Sequence, residues 1–108
     1  MAGGYRKPIV TQKFTVTANT ISGGSGAPTS VGTITNDKEV LVIAYDGDQT
    51  VWLTLNSNDF IPLLASTQLV LDLSSDNLGL LNGTVIKVYN ESSAPTTGTL
   101  RVCAIGGA

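Results

Sequence analysis

The chain has 108 residues, of which 42% are hydrophobic and only 13% charged, with a net charge of −2 and no histidine. That length suits one domain that buries a core without staples, and the apolar content excludes a disordered chain. The single cysteine, Cys103, excludes an internal disulfide and a multi-cysteine zinc site within one chain, and the absence of any basic cluster longer than Arg6-Lys7 argues against nucleic-acid binding by phosphate neutralisation.

Residues 1–8, "MAGGYRKP", read as a flexible N-terminal arm, because Gly3, Gly4 and Pro8 disfavour regular structure. One domain is expected over residues 9–108. The start lacks the apolar run of a leader, and no stretch approaches the ~20 apolar residues of a membrane helix. The expectation is a soluble protein made in a cytoplasm, with no membrane partner.

From Val10 the pattern has a period of two. "VTQKFTVTA" puts Val10, Phe14, Val16 and Ala18 on one face and Thr11, Lys13, Thr15 and Thr17 on the other, as a half-buried strand requires. "NTISGGSGAPTS" (19–30) is a loop by its Gly, Ser and Pro content. A second strand is expected near 31–35, and "NDK" turns the chain into "EVLVIAY" (39–45), apolar on both faces like a central strand. "TVWLTL" follows the "DGDQ" turn, with Val51, Leu53 and Leu55 opposite Trp52 and Thr54. "NSND" turns again. Pro62 in "FIPLLAS" confines that segment to an edge strand or a packed loop. "QLVLDL" turns Leu69, Leu71 and Leu73 inward and Val70 and Asp72 outward. "SSDNLGLLNG" reads as a helical turn or a wide loop. "TVIKVYN" sets Ile86 and Val88 against Val85, Lys87 and Tyr89, and "TLRVCAI" sets Leu100, Val102 and Ala104 against Arg101, Cys103 and Ile105.

Seven or eight short strands separated by turn signals, with no sustained 3.6 period, predict an all-β, antiparallel β-sandwich. A jelly-roll-like topology is the first expectation and an immunoglobulin-like one the alternative.

Little in the chain suits catalysis. Histidine, the usual general base near neutral pH, is absent, and Cys103 has none to activate it. No enzyme activity and no cofactor are expected. "DGDQT" is the sharpest candidate site. Asp46 and Asp48 beside Gly47 offer oxygen ligands for calcium, but no glutamate closes a twelve-residue loop, and position 57 is Ser. Asp-Gly between two apolar runs also spells a hairpin turn, which is the preferred reading. Trp52, Tyr45 and Tyr89 offer faces on which a sugar ring can stack; burial against another sheet or subunit is the competing account.

Several strands are apolar on both faces. Leu41, Ile43, Trp52, Val70, Tyr89 and Ile105 cannot all face solvent without making a large patch, and large patches mark interaction surfaces. Leu41, Ile43, Tyr45, Trp52, Tyr89 and Ile105 are therefore candidates for a homo-oligomer interface.

In manner the chain resembles structural proteins of tailed bacteriophages, above all small capsid decoration (cement) proteins. The resemblance lies in the Gly-rich start "MAGGYRKP", the threonine-rich strands "TQKFTVTANT" and "GTLRV", the absence of histidine, and the run "LLNGTVIKVYNESSAPTTGTLRVCAI" leading to the apolar end "RVCAIGGA". It implies a structural virion protein that self-associates, as a trimer above other oligomers. Such a protein binds the major capsid protein on the capsid exterior and stabilises contacts between neighbouring capsomers. Tyr5, Arg6 and Lys7 on the arm would then meet the capsid. The alternative is a host-glycan-binding module of a phage tail fibre or spike.

Overall fold

The computed structural model describes residues 8–73 and 79–107. Eight strands follow one another: β1 (Ile9–Thr17), β2 (Thr29–Thr33), β3 (Val40–Tyr45), β4 (Val51–Leu55), β5 (Asn58–Leu63), β6 (Thr67–Asp72), β7 (Val85–Asn90) and β8 (Thr99–Gly107). A 3-10 turn, Ala18–Thr20, leaves β1. The strands form two antiparallel four-stranded sheets, ordered β1-β8-β3-β6 and β2-β7-β4-β5.

The pairing has a simple origin. β1 pairs with β8, β2 with β7, β3 with β6 and β4 with β5, as if one long hairpin with its tip between β4 and β5 had formed first. Wrapping that hairpin adds β3-β8 to one sheet and β4-β7 to the other. The product is the jelly roll, so the first topological expectation holds and the immunoglobulin-like order does not apply.

Strand alternation builds the core. Across the β1-β8-β3-β6 sheet the rows Phe14–Val102–Ile43–Leu69 and Gln12–Ala104–Leu41–Leu71 point inward. They meet Val51, Leu53, Ile86 and Val88 of the second sheet, all fully buried. At the open edge between β1 and β2, Gln12 ties the sheets together: its Oε1 accepts the Thr35 N–H at 2.8 Å and its Nε2 donates to the Thr33 carbonyl at 3.3 Å. Beside it the Phe14 ring lies against Gly32, where a Cβ would collide with the ring. Lys38, buried between β2 and β3, has its charge solvated by the carbonyls of Thr35 and Asn36.

Two expectations about turns exchange places. The β4–β5 connection, Asn56-Ser57, has φ of 50° and 67° at two successive residues, the backbone signature of a type I′ hairpin. The Asp46–Thr50 connection is no hairpin. It joins β3 in one sheet to β4 in the other, and Gly47 is not among the positive-φ residues. Pro62 lies on β5, an edge strand, where a missing N–H costs no ladder bond.

Candidate functional site

Three places hold the residues that the sequence singled out: one loop cluster and the outer faces of the two sheets. At the loop cluster, the β3–β4 crossover meets the β7–β8 connection. Asp48 accepts the Thr96 N–H at 2.8 Å and the Thr97 N–H at 3.3 Å through Oδ1, and the Thr96 hydroxyl at 2.6 Å through Oδ2. Asp46 accepts the Thr99 N–H through Oδ1, while its own N–H donates to the Thr99 carbonyl at 3.2 Å. The Thr96 hydroxyl first, then the Thr96 and Thr97 amides, hold the Asp48 carboxyl below the ordinary carboxylate range.

These bonds engage both oxygens of Asp48 and Oδ1 of Asp46. Each faces N–H or O–H donors, whose positive ends repel a cation, and no group of three His, Cys, Asp or Glu suited to a metal occurs among the described residues. The expected hairpin gives way to a clamp between two crossover loops. Tyr45 closes it from beneath. Its ring is buried and its hydroxyl donates to the Gln49 carbonyl; burial is the main reason its phenol titrates above the ordinary value. Gly98, at φ 100°, packs against the backbone of Asp46 and Gly47.

The outer face of the β1-β8-β3-β6 sheet corrects half of the interface expectation. Leu41, Ile43 and Tyr45 point into the sandwich and are 0–1% exposed, so they offer nothing to a second subunit. The pleat is the reason: their neighbours Val40, Val42 and Ala44 occupy the outer face instead, and a strand apolar on both sides does not reveal which side is which. Register places Thr11–Ile105–Val40–Asp72 in one outer row, Lys13–Cys103–Val42–Val70 in the next, and Thr15–Arg101–Ala44–Gln68 in the third. Ile105 therefore does lie on this face. The first two rows are apolar at their middle, Ile105–Val40 and Cys103–Val42, and Val70 extends the second to β6, whereas Arg101 interrupts the third. Val70 is 66% exposed.

The outer face of the β2-β7-β4-β5 sheet carries Trp52 and Tyr89 as a cross-strand pair, with Pro62 opposite Trp52 on β5. Both rings are half-buried. The Trp52 Nε1–H donates to Glu91 Oε1 at 3.3 Å, and the Tyr89 hydroxyl donates to Asp59 Oδ1 at 2.9 Å. Tyr89 thus reaches across β4 to β5. This explains why Thr54, on an outward position of β4, is only 4% exposed. Nothing in one dimension links Asp59 and Lys87 to Tyr89; they join it only when β4, β5 and β7 pair. Tyr5, Arg6 and Lys7 lie outside the described residues.

No family model matches this chain, and no curated protein matches it. A solved structure described under the words "Bacillus endospore appendages form a novel family of disulfide-linked pili" is similar to it, with a TM-score of 0.49 and 9% identity over 99% of this chain and 95% of that one. So distant a likeness says nothing of function.

Proposed function

We propose that this chain is a structural protein that works by self-association, and that in its biological setting it decorates the exterior of a phage capsid, bound to the major capsid protein. One observation carries the self-association: the apolar centre of the outer β1-β8-β3-β6 face, formed by Val40, Val42, Ala44, Val70, Cys103 and Ile105. The missing histidine and the low charge agree with a role in contact rather than catalysis. The virion setting rests on the resemblance of the sequence to decoration proteins.

Size bounds the strength of the contact. Strands about 4.8 Å apart and three rows of side chains give a face of roughly 20 by 20 Å, or about 400 Å². That figure counts the polar residues of the three rows as well as the apolar ones, and it is still only half of the ~800 Å² per partner in a standard interface. Packing through this face alone is therefore weak and concentration-dependent, and a durable assembly needs a further surface, such as the capsid.

Sedimentation equilibrium of the protein from about 1 µM to 1 mM tests the reading. The mass should rise with concentration, and it separates a two-fold pair packed face to face from the trimer that the resemblance implies. Val70→Asp, at an exposed position, should hold the protein at the monomer mass and reduce co-sedimentation with capsids. A wild type that stays monomeric throughout and ignores capsids would refute it.

A further inference from the structure

We infer that the outer face of the β2-β7-β4-β5 sheet holds a binding site for one neutral sugar ring, centred on Tyr89, Asp59 and Lys87. A cleft of about 300 Å³ opens there, lined by these three residues with Pro28, Thr54 and Ser57. That is the low end of small-molecule clefts, the scale of one ring rather than of a peptide or a long glycan. The site lies on the opposite side of the sandwich from the self-association face and stands independently of it.

The groups are disposed for a polyol with one apolar face. The Tyr89–Asp59 hydrogen bond fixes the aromatic ring before any ligand arrives, so little side-chain entropy is lost on binding. The face of an aromatic ring is electron-rich and attracts the weakly positive C–H groups on the flat side of a pyranose. Trp52 and Pro62 continue the surface in the same row as Tyr89, on β4 and β5. Asp59 engages Tyr89 through Oδ1, leaving Oδ2 to accept a sugar hydroxyl. Lys87 belongs to the adjacent outer row Ser30–Lys87–Thr54–Asp59. Its ammonium forms no ion pair among the described residues and can donate to a second hydroxyl.

Charge selects among ligands. An anionic sugar would be attracted by Lys87 but would face Asp59, with Glu91 nearby on Trp52; a cation would face Lys87. Neutral hydroxyls satisfy both signs at once. Of the three aromatic residues the sequence offers for stacking, Tyr89 lines the cleft and Tyr45 is buried in the sandwich. Trp52 has already committed its N–H to Glu91 and serves as the neighbouring wall.

The test is a titration of isotope-labelled protein, followed by amide NMR, with methyl α-glucoside, methyl α-mannoside, methyl β-galactoside and N-acetylglucosamine, each to about 50 mM. At least one should give saturable shifts at Thr54, Asp59, Lys87 and Tyr89, with a Kd of about 1–10 mM, the affinity expected of a single ring. Asp59→Asn and Lys87→Met, surface changes that leave the core intact, should each weaken binding about tenfold, and Tyr89→Ala should abolish it. Val70→Asp on the other sheet should bind like wild type. The inference is overturned if none of the four sugars shifts these amides, if the shifts fall elsewhere, or if Asp59→Asn and Lys87→Met both bind as tightly as wild type.

Discussion

Adding one methyl group at Gly47 should cost far more than its size suggests. A Cβ built there would overlap the Tyr45 ring at Oη, Cζ and Cε1. Gly47 does not have positive φ, so the cost is steric rather than conformational. The ring cannot retreat, because Tyr45 is 1% exposed and its hydroxyl is tied to the Gln49 carbonyl. Overpacking of this kind costs about 1–3 kcal/mol, and forfeiting the hydrogen bond adds about 1 kcal/mol. Gly47→Ala should therefore lose about 2–4 kcal/mol of stability in urea unfolding, or roughly 9–18 °C in Tm for a chain of this size. Gly24 and Gly26 supply the control: nothing lies within 4 Å of a Cβ at either, and neither has positive φ. Alanine at those positions should be neutral or stabilising by up to about 1 kcal/mol. Combining Gly47→Ala with Tyr45→Phe removes the phenol oxygen from the collision, so the double variant should lose about 1 kcal/mol less than the two single losses added together. The reasoning fails if Gly47→Ala unfolds within about 0.5 kcal/mol of Gly24→Ala, or if the double variant is additive.

The remaining predictions concern the clamp and the two faces of β3. Asp48 has a carboxyl depressed in the folded state, so its contribution is fully present above the unfolded value of about 3.9 and is lost as pH falls through the lower folded value. Thermal unfolding from about pH 7 to 2 should show that Asp48→Asn lowers Tm at neutral pH and loses part of the acid-induced decline; parallel curves for variant and wild type would contradict the clamp. Adjacent positions on β3 should behave in opposite ways. Ile43→Ala should cost about 2–5 kcal/mol of stability, whereas Val42→Ala should cost under about 1 kcal/mol and weaken self-association instead. Equilibrium unfolding beside sedimentation separates the two, and similar losses of stability at both positions would mean that the faces are misassigned.

Much of the fold was legible because burial writes itself into alternation. β1, β6, β7 and β8 each have one face distinct from the other, and their inward residues follow directly from the letters. β3 was not legible in the same way. "VLVIAY" is apolar at every position, so its register is set by β6 and β8, which the chain reaches only 22 and 54 residues later. The same non-local pairing misled the reading of Asp46-Gly47. The dipeptide carries a hairpin's chemistry, but the strand after it joins the other sheet, and the local signal lost to tertiary pairing. Asn56-Ser57 makes the tight turn with a less distinctive pair of letters. The candidate sugar site was half visible: aromatic residues on outward positions could be read, whereas Asp59 and Lys87 come together with Tyr89 only through the order β7-β4-β5.

The claim that the outer β1-β8-β3-β6 face is the seam between subunits is best tested by the thiol at its centre. Cys103 is half-buried in the row Lys13–Cys103–Val42–Val70, so its alkylation rate reports on that face, whereas mass alone reports only that some face is used. Maleimide labelling of wild type should slow as protein concentration rises from about 1 µM to 1 mM, in step with the increase in mass, while Val70→Asp should label at one rate throughout. A wild-type rate that stays constant while the mass rises would place the seam elsewhere and contradict the account.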